Sequence, residues 1–112
     1  MDFQYSEIEN FGHYKLTGSL IGENDGMPVL NHFSERCEDG MKNFIVDLSG
    51  MKHINSSGLG VLITLLTRAR KKGGEVVLVN PSEYIRNLLL ITKLNSIFRI
   101  FSDATEAEKS FA

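Results

Sequence analysis

The run Asn55-Ser56-Ser57-Gly58-Leu59-Gly60 sets two adjacent hydroxyls between an amide side chain and a pair of glycines. A serine hydroxyl can attack a substrate when a base takes its proton and an acid orients that base. It can also accept a phosphoryl group, or cap a helix by accepting a backbone N–H. Nucleophilic catalysis finds little support. The Gly-x-Ser-x-Gly elbow is absent, and His53, three residues before Ser56, reads as a solvated loop histidine. No catalytic residue is assigned. His13, His32 and His53 are widely spaced and Cys37 has no neighbouring ligand pair, so no metal site is expected. Neither Gly-x-Gly-x-x-Gly nor a P-loop occurs, and no cofactor is expected.

The serines must be positioned by the elements on either side. Asn43 to Leu48, with Phe44-Ile45-Val46 at its centre, reads as a strand buried on both faces. Ser49 to Asn55 reads as a connection. From Ser57 onward, Leu59, Leu62, Ile63, Leu66 and Ala69 fall on one helical face. Ser56 and Ser57 then lie at a helix start, where unpaired N–H groups point outward. A phosphate there would meet donors and the positive end of the helix dipole. Two simpler roles stay open: Asn55, Ser56 and Ser57 could compete as the N-cap, and Gly58 and Gly60 could be close-packing positions rather than room for a partner's backbone.

The remaining elements complete an alternating pattern. Phe3 to Glu9 reads as an edge strand, Asn10-Phe11-Gly12 as a turn, and His13 to Leu20 as the hairpin partner. After a loop at Gly22 to Gly26, Pro28 suits a first helical turn, and Val29, Leu30, Phe33 and Cys37 follow at helical spacing up to Gly40. Gly73-Gly74 stops the second helix, and Glu75 to Asn80 is another buried strand. Ser82 caps a helix through Ile85, Leu88, Leu89 and Ile91, whose Leu88-Leu89-Leu90-Ile91 run reads as core, with a lipid- or partner-facing patch as the alternative. Ile97 to Phe101 is a last strand, and a short helix runs from Asp103 or Ala104 to near Phe111. The expected fold is α/β: one domain over residues 1–112, with a mixed sheet in the order β-β-α-β-α-β-α-β-α covered by about four helices.

Composition excludes several functions. Hydrophobic residues form 42% and charged residues 23% of the 112-residue chain, which suits one folded core. The net charge of −2 provides no global field for nucleic acid or anionic lipid. The basic run Arg68, Arg70, Lys71 and Lys72 lies where a helix should end and complements its dipole. A single cysteine fits a reducing compartment. With no leader-like amino terminus and no apolar stretch near the ~20 residues of a membrane span, the expected location is the cytoplasm.

The segment Asp47-Leu48, Ile54 and Asn55-Ser56-Ser57-Gly58-Leu59-Gly60 resembles the signature of the STAS family, in particular its bacterial anti-sigma factor antagonists. Leu16-Thr17-Gly18-Ser19-Leu20 resembles the family's second strand, and Gly73-Gly74-Glu75-Val76-Val77-Leu78-Val79 the strand after the signature helix. The resemblance implies partner switching. Ser56 holds the place of the family's phosphorylated serine. The partners implied are an anti-sigma factor that is also a serine kinase, bound by the unphosphorylated protein so that a sigma factor is released, and a metal-dependent serine phosphatase that restores it. The contact surface expected is Asn55, Ser56, Ser57, Gly58, Leu59 and Gly60, with an exposed helix face near Val61 and Leu65. The alternative is a STAS scaffold or regulatory subunit in signalling or transport, without a sigma factor partner. Two departures stand out: Asn55 replaces the usual aspartate, and Ser19-Leu20-Ile21-Gly22-Glu23-Asn24 replaces the usual Glu-Leu-Asp stretch.

Overall fold

A computed structural model describes residues 1–111, apart from the Glu23 side chain; Ala112, the last residue of the expected domain, lies outside the described residues. Five strands form one sheet in sequence order: β1 (Asp2–Ile8), β2 (Phe11–Leu20), β3 (Asn43–Ile54), β4 (Glu75–Val79) and β5 (Arg99–Phe101). The β1–β2 hairpin is antiparallel and every later pairing is parallel. The helices are α1 (Glu23–Glu38), α2 (Ser56–Lys71), α3 (Glu83–Ile91) and α4 (Ala104–Ser110), with a 3-10 turn at Leu94–Ser96. This is the expected α/β order.

Alternation along the strands explains the layering. Phe44, Val46, Leu48, Val76 and Leu78 face a core shared with α1, α2 and α3. Ile45, Val77 and Val79 face the opposite side, where Ala107 of α4 and Phe11 close a smaller cluster. Successive parallel strands joined by right-handed crossovers put their helices on one face, which leaves α4 to cover the other. At the hairpin, the Tyr14 hydroxyl and His32 Nδ1 lie 2.7 Å apart, and burial holds the Tyr14 phenol well above its ordinary pKa. Burial likewise raises the Cys37 thiol pKa, which removes the thiolate character a reactive cysteine needs.

Four expectations need correction. The stretch from Ser49 to Ile54 is strand, not connection: β3 runs on beside Thr17 to Leu20 through two register shifts. Gly50 permits this, since a Cβ there would lie 2.6 Å from Thr17 Cγ2. Helix α1 begins a turn before Pro28 and includes Gly26, which serves helix packing rather than a turn: a Cβ on it would lie 2.7 Å from Val61 Cγ2. Strand β5 is three residues long, because the 3-10 turn takes up the chain before it. Finally, Leu88-Leu89-Leu90-Ile91 is only partly core. Leu89 is fully buried, but Leu90 is 52% and Ile91 78% exposed, because α3 touches the sheet along one row only.

Candidate functional site

Strand β3 delivers the chain to the sheet's carboxyl edge, where Asn55 turns it into α2. Asn55 is extended (φ −112°, ψ −175°), as an N-cap must be. Its Oδ1 accepts the Gly58 N–H at 2.9 Å and the Gly22 N–H at 3.4 Å, and its own N–H donates to the Leu20 carbonyl at 3.4 Å. One side chain therefore caps α2 and ties it to the β2–α1 loop. The three-way competition for the cap resolves in favour of Asn55. Ser56 and Ser57 become the first two helical residues. Both are exposed, and neither hydroxyl makes a hydrogen bond among the described residues.

The electrostatics there favour an anion. The first turn of α2 carries no acidic residue, so its outward N–H groups and the dipole's positive end are not neutralised locally. Arg68, Arg70 and Lys71 sit in the last turn, against the negative end. Arg70 is also tied down, donating to the Ile97 carbonyl at 2.9 Å and to Glu75.

The two glycines separate sharply. A Cβ on Gly58 would fall on the Leu20 carbonyl oxygen and within 2.8 Å of Ile54 Cγ1, whereas a Cβ on Gly60 would meet nothing within 4 Å. Gly58 is a packing position. Gly60 opens onto a groove of about 880 Å³ between α1 and α2, walled by Met27 and Leu30 on one side and by Ser57 and Thr64 on the other. At its far end the Arg68 guanidinium donates to Ser34 Oγ at 2.6 Å and bridges the two helices.

The contact surface expected from sequence is brought together only in part. Asn55, Ser56, Ser57 and Gly60 share the exposed edge, while Gly58 and Leu59 are buried. The exposed face expected near Val61 and Leu65 does not exist: Val61 is 3% and Leu65 0% exposed. Helix α1 covers that shoulder, so the buried face of α2 is wider than its single apolar row suggested. The open face is instead Ser57, Gly60 and Thr64, at i, i+3 and i+7, small residues whose helical spacing was visible in the sequence. Met27 and Leu30 were not, since they belong to another helix.

His53 is exposed, and its ring packs edge-on against Tyr84 at 6.4 Å. Among the described residues, no group of three His, Cys, Asp or Glu side chains could hold a metal ion, and no helix is long and apolar enough to cross a membrane.

Comparison with known proteins agrees with this architecture. The STAS domain model matches residues 2–107. A candidate anti-sigma factor antagonist of Thermotoga neapolitana is 33% identical over 75 residues, covering 67% of this chain and 66% of its own length, so the match spans just under two thirds of that relative. The crystal structure of a candidate anti-sigma factor antagonist of Thermotoga maritima superposes with a TM-score of 0.88 at 25% identity, covering 96% of this chain and 92% of that one. The Bacillus cell fate determinant SpoIIAA in its phosphorylated form shares the fold, with a TM-score of 0.78 at 18% identity, covering 99% of this chain and all of that one. With its β-β-α-β-α-β-α-β-α order and its serine-bearing strand-to-helix edge, the chain belongs to the STAS domain family.

Proposed function

We propose that the protein is an anti-sigma factor antagonist, a non-enzymatic binder switched by phosphorylation of Ser56. Unphosphorylated, it docks through the start of α2 and the α1–α2 groove onto an anti-sigma factor that is also a serine kinase, and so frees a sigma factor. The observation that carries this reading is the bare edge of α2. Two hydroxyls stand free there beside Gly60, a helix-interior glycine that no packing contact requires. Such a glycine costs the helix roughly 0.5–1 kcal/mol relative to alanine. A partner whose backbone must approach closely accounts for keeping it. The relatives from the two Thermotoga species agree with this role.

In the switching step the Ser56 hydroxyl oxygen attacks the γ-phosphorus of ATP. The bond to the β–γ bridging oxygen breaks, ADP leaves, and the hydroxyl proton passes to a base of the kinase. The phosphate adds about −1.5 to −2 charges. At the start of α2 that charge is locally favourable, so the fold should persist. In the docked interface it must shed water and face the partner. Like charges ~4 Å apart repel by about 4 kcal/mol per unit pair at an effective dielectric near 20, and half of that weakens binding more than tenfold. A metal-dependent serine phosphatase reverses the step by hydrolysis.

Incubation with ATP and the anti-sigma factor kinase of the same organism, followed by mass-spectrometric site mapping, tests the reading. Phosphate on Ser56 is expected. Phosphate mainly on Ser57, Ser49 or Thr64 would sink the assignment.

A further inference from the structure

Helix α3 has a shoulder that the fold leaves partly bare. Ile85 and Leu89, four residues apart and fully buried, hold the helix to the sheet. Tyr84, Leu88 and Ile91 recur at i, i+4 and i+7 beside them, with Tyr84 51% and Ile91 78% exposed and Leu88 between them partly buried against the core. Single exposed apolar side chains are ordinary, but here two lie two turns apart in one helical row, joined by the open edge of Leu88. Its Tyr84 end touches the switch region, because the ring packs against His53, two residues before the Asn55 cap. The setting is basic at the end of the row: Lys93 follows Ile91 by two residues, whereas Arg86 stands across the helix from the row. Exposed Lys52 adjoins His53.

We propose that the Tyr84–Leu88–Ile91 stripe is a second contact for the protein that covers Ser56, and that it receives an apolar row of that partner flanked by carboxylates. The proposal rests on the partner-switching reading above. Three arguments select this occupant. A specific interface covers roughly 800 Å² on each partner, a patch about 32 Å across. Tyr84 to Ile91 extends only ~10 Å along the helix, so one partner seated over Ser56 and His53 reaches the whole stripe. Pairing of this ~10 Å stripe with itself alone would bury well under the roughly 800 Å² per partner of a specific interface. A lipid surface is a poor match for three apolar side chains on a nine-residue helix pinned to the sheet, since interfacial helices bury an apolar face ~5–10 Å deep.

Isothermal titration of the same anti-sigma factor kinase with wild type, Ile91→Ala, Ile91→Lys and Ile91→Glu tests the stripe, with melting temperatures recorded for each. Ile91→Glu should weaken binding by about tenfold or more, Ile91→Ala by about threefold, and Ile91→Lys less than Ile91→Glu. All should melt within about 2 °C of wild type, because the side chain is mostly in water. Binding by wild type that Ile91→Glu leaves unchanged overturns the stripe and leaves the Ser56 reading standing. No binding by wild type overturns that reading, and the stripe with it. With kinase binding unchanged, Ile91-dependent flotation on vesicles of equal parts phosphatidylcholine and phosphatidylglycerol would reassign the surface to lipid. Ile91-dependent dimers in sedimentation would reassign it to self-association.

Discussion

Gly58 and Gly60 are two residues apart on one helix, yet they answer to different constraints. Gly58 faces inward, where the Leu20 carbonyl and Ile54 occupy the space of a side chain; Gly60 faces outward over an empty groove. The first is required by the fold. The second is tolerated by the fold at a small cost, which the proposed docking would explain. Where both constraints meet, at the start of α2, the site is assembled from a rigid inner half and a bare outer half.

The largest expected effect lies on the inner half. Gly58→Ala should destabilise the protein by about 3 kcal/mol or more, because backbone, not a flexible side-chain tip, blocks the new methyl group. Denaturant unfolding measures it, and a loss below about 1 kcal/mol would erase the contrast between the glycines.

On the outer half, Ser56→Asp should lose more than about tenfold in affinity for the anti-sigma factor kinase while its circular dichroism spectrum and melting temperature stay near wild type. Ser56→Ala should bind but resist phosphorylation. If Ser56→Asp instead unfolds the chain, or binds as tightly as wild type, the surface-blocking mechanism is wrong.

Gly60→Ala should have opposite signs in two assays. Stability should rise by roughly 0.5–1 kcal/mol from helix propensity alone, and kinase binding should fall. A stabilised variant with unchanged binding would show that Gly60 is not a close-approach position.

The smallest effect is expected at the seam. Asn55→Asp keeps an oxygen for the Gly58 and Gly22 N–H groups and adds a negative charge at the helix start, worth about 0.3–1 kcal/mol. Thermal melting should show that gain, and kinase assays should show faster phosphorylation through better orientation of the neighbouring hydroxyl. An unchanged or lower rate would mark Asn55 as fitted to its own partner.

The element order and the position of the serine-bearing segment were legible in the sequence for local reasons. Buried parallel strands read as continuous β-branched runs such as Val76-Val77-Leu78-Val79, helices show their period, and glycine pairs and Ser82 mark their ends. The motif around Ser56 was legible because it lies within six consecutive residues. What the sequence could not decide were questions of which neighbour comes near. It left open which of three polar residues caps α2; tertiary structure chose Asn55 because the Gly22 N–H of another loop also reaches its oxygen. It set Val61 and Leu65 on an exposed face; α1 covers them, because Gly26 lets the two helices approach. It counted Leu90 and Ile91 as core, but the edge of the sheet offers α3 nothing to pack them against. Periodicity along one chain reports which residues share a face. Whether that face is buried depends on distant segments that no local pattern encodes, and at this site those segments separate the glycine that holds the fold from the one that faces an open groove.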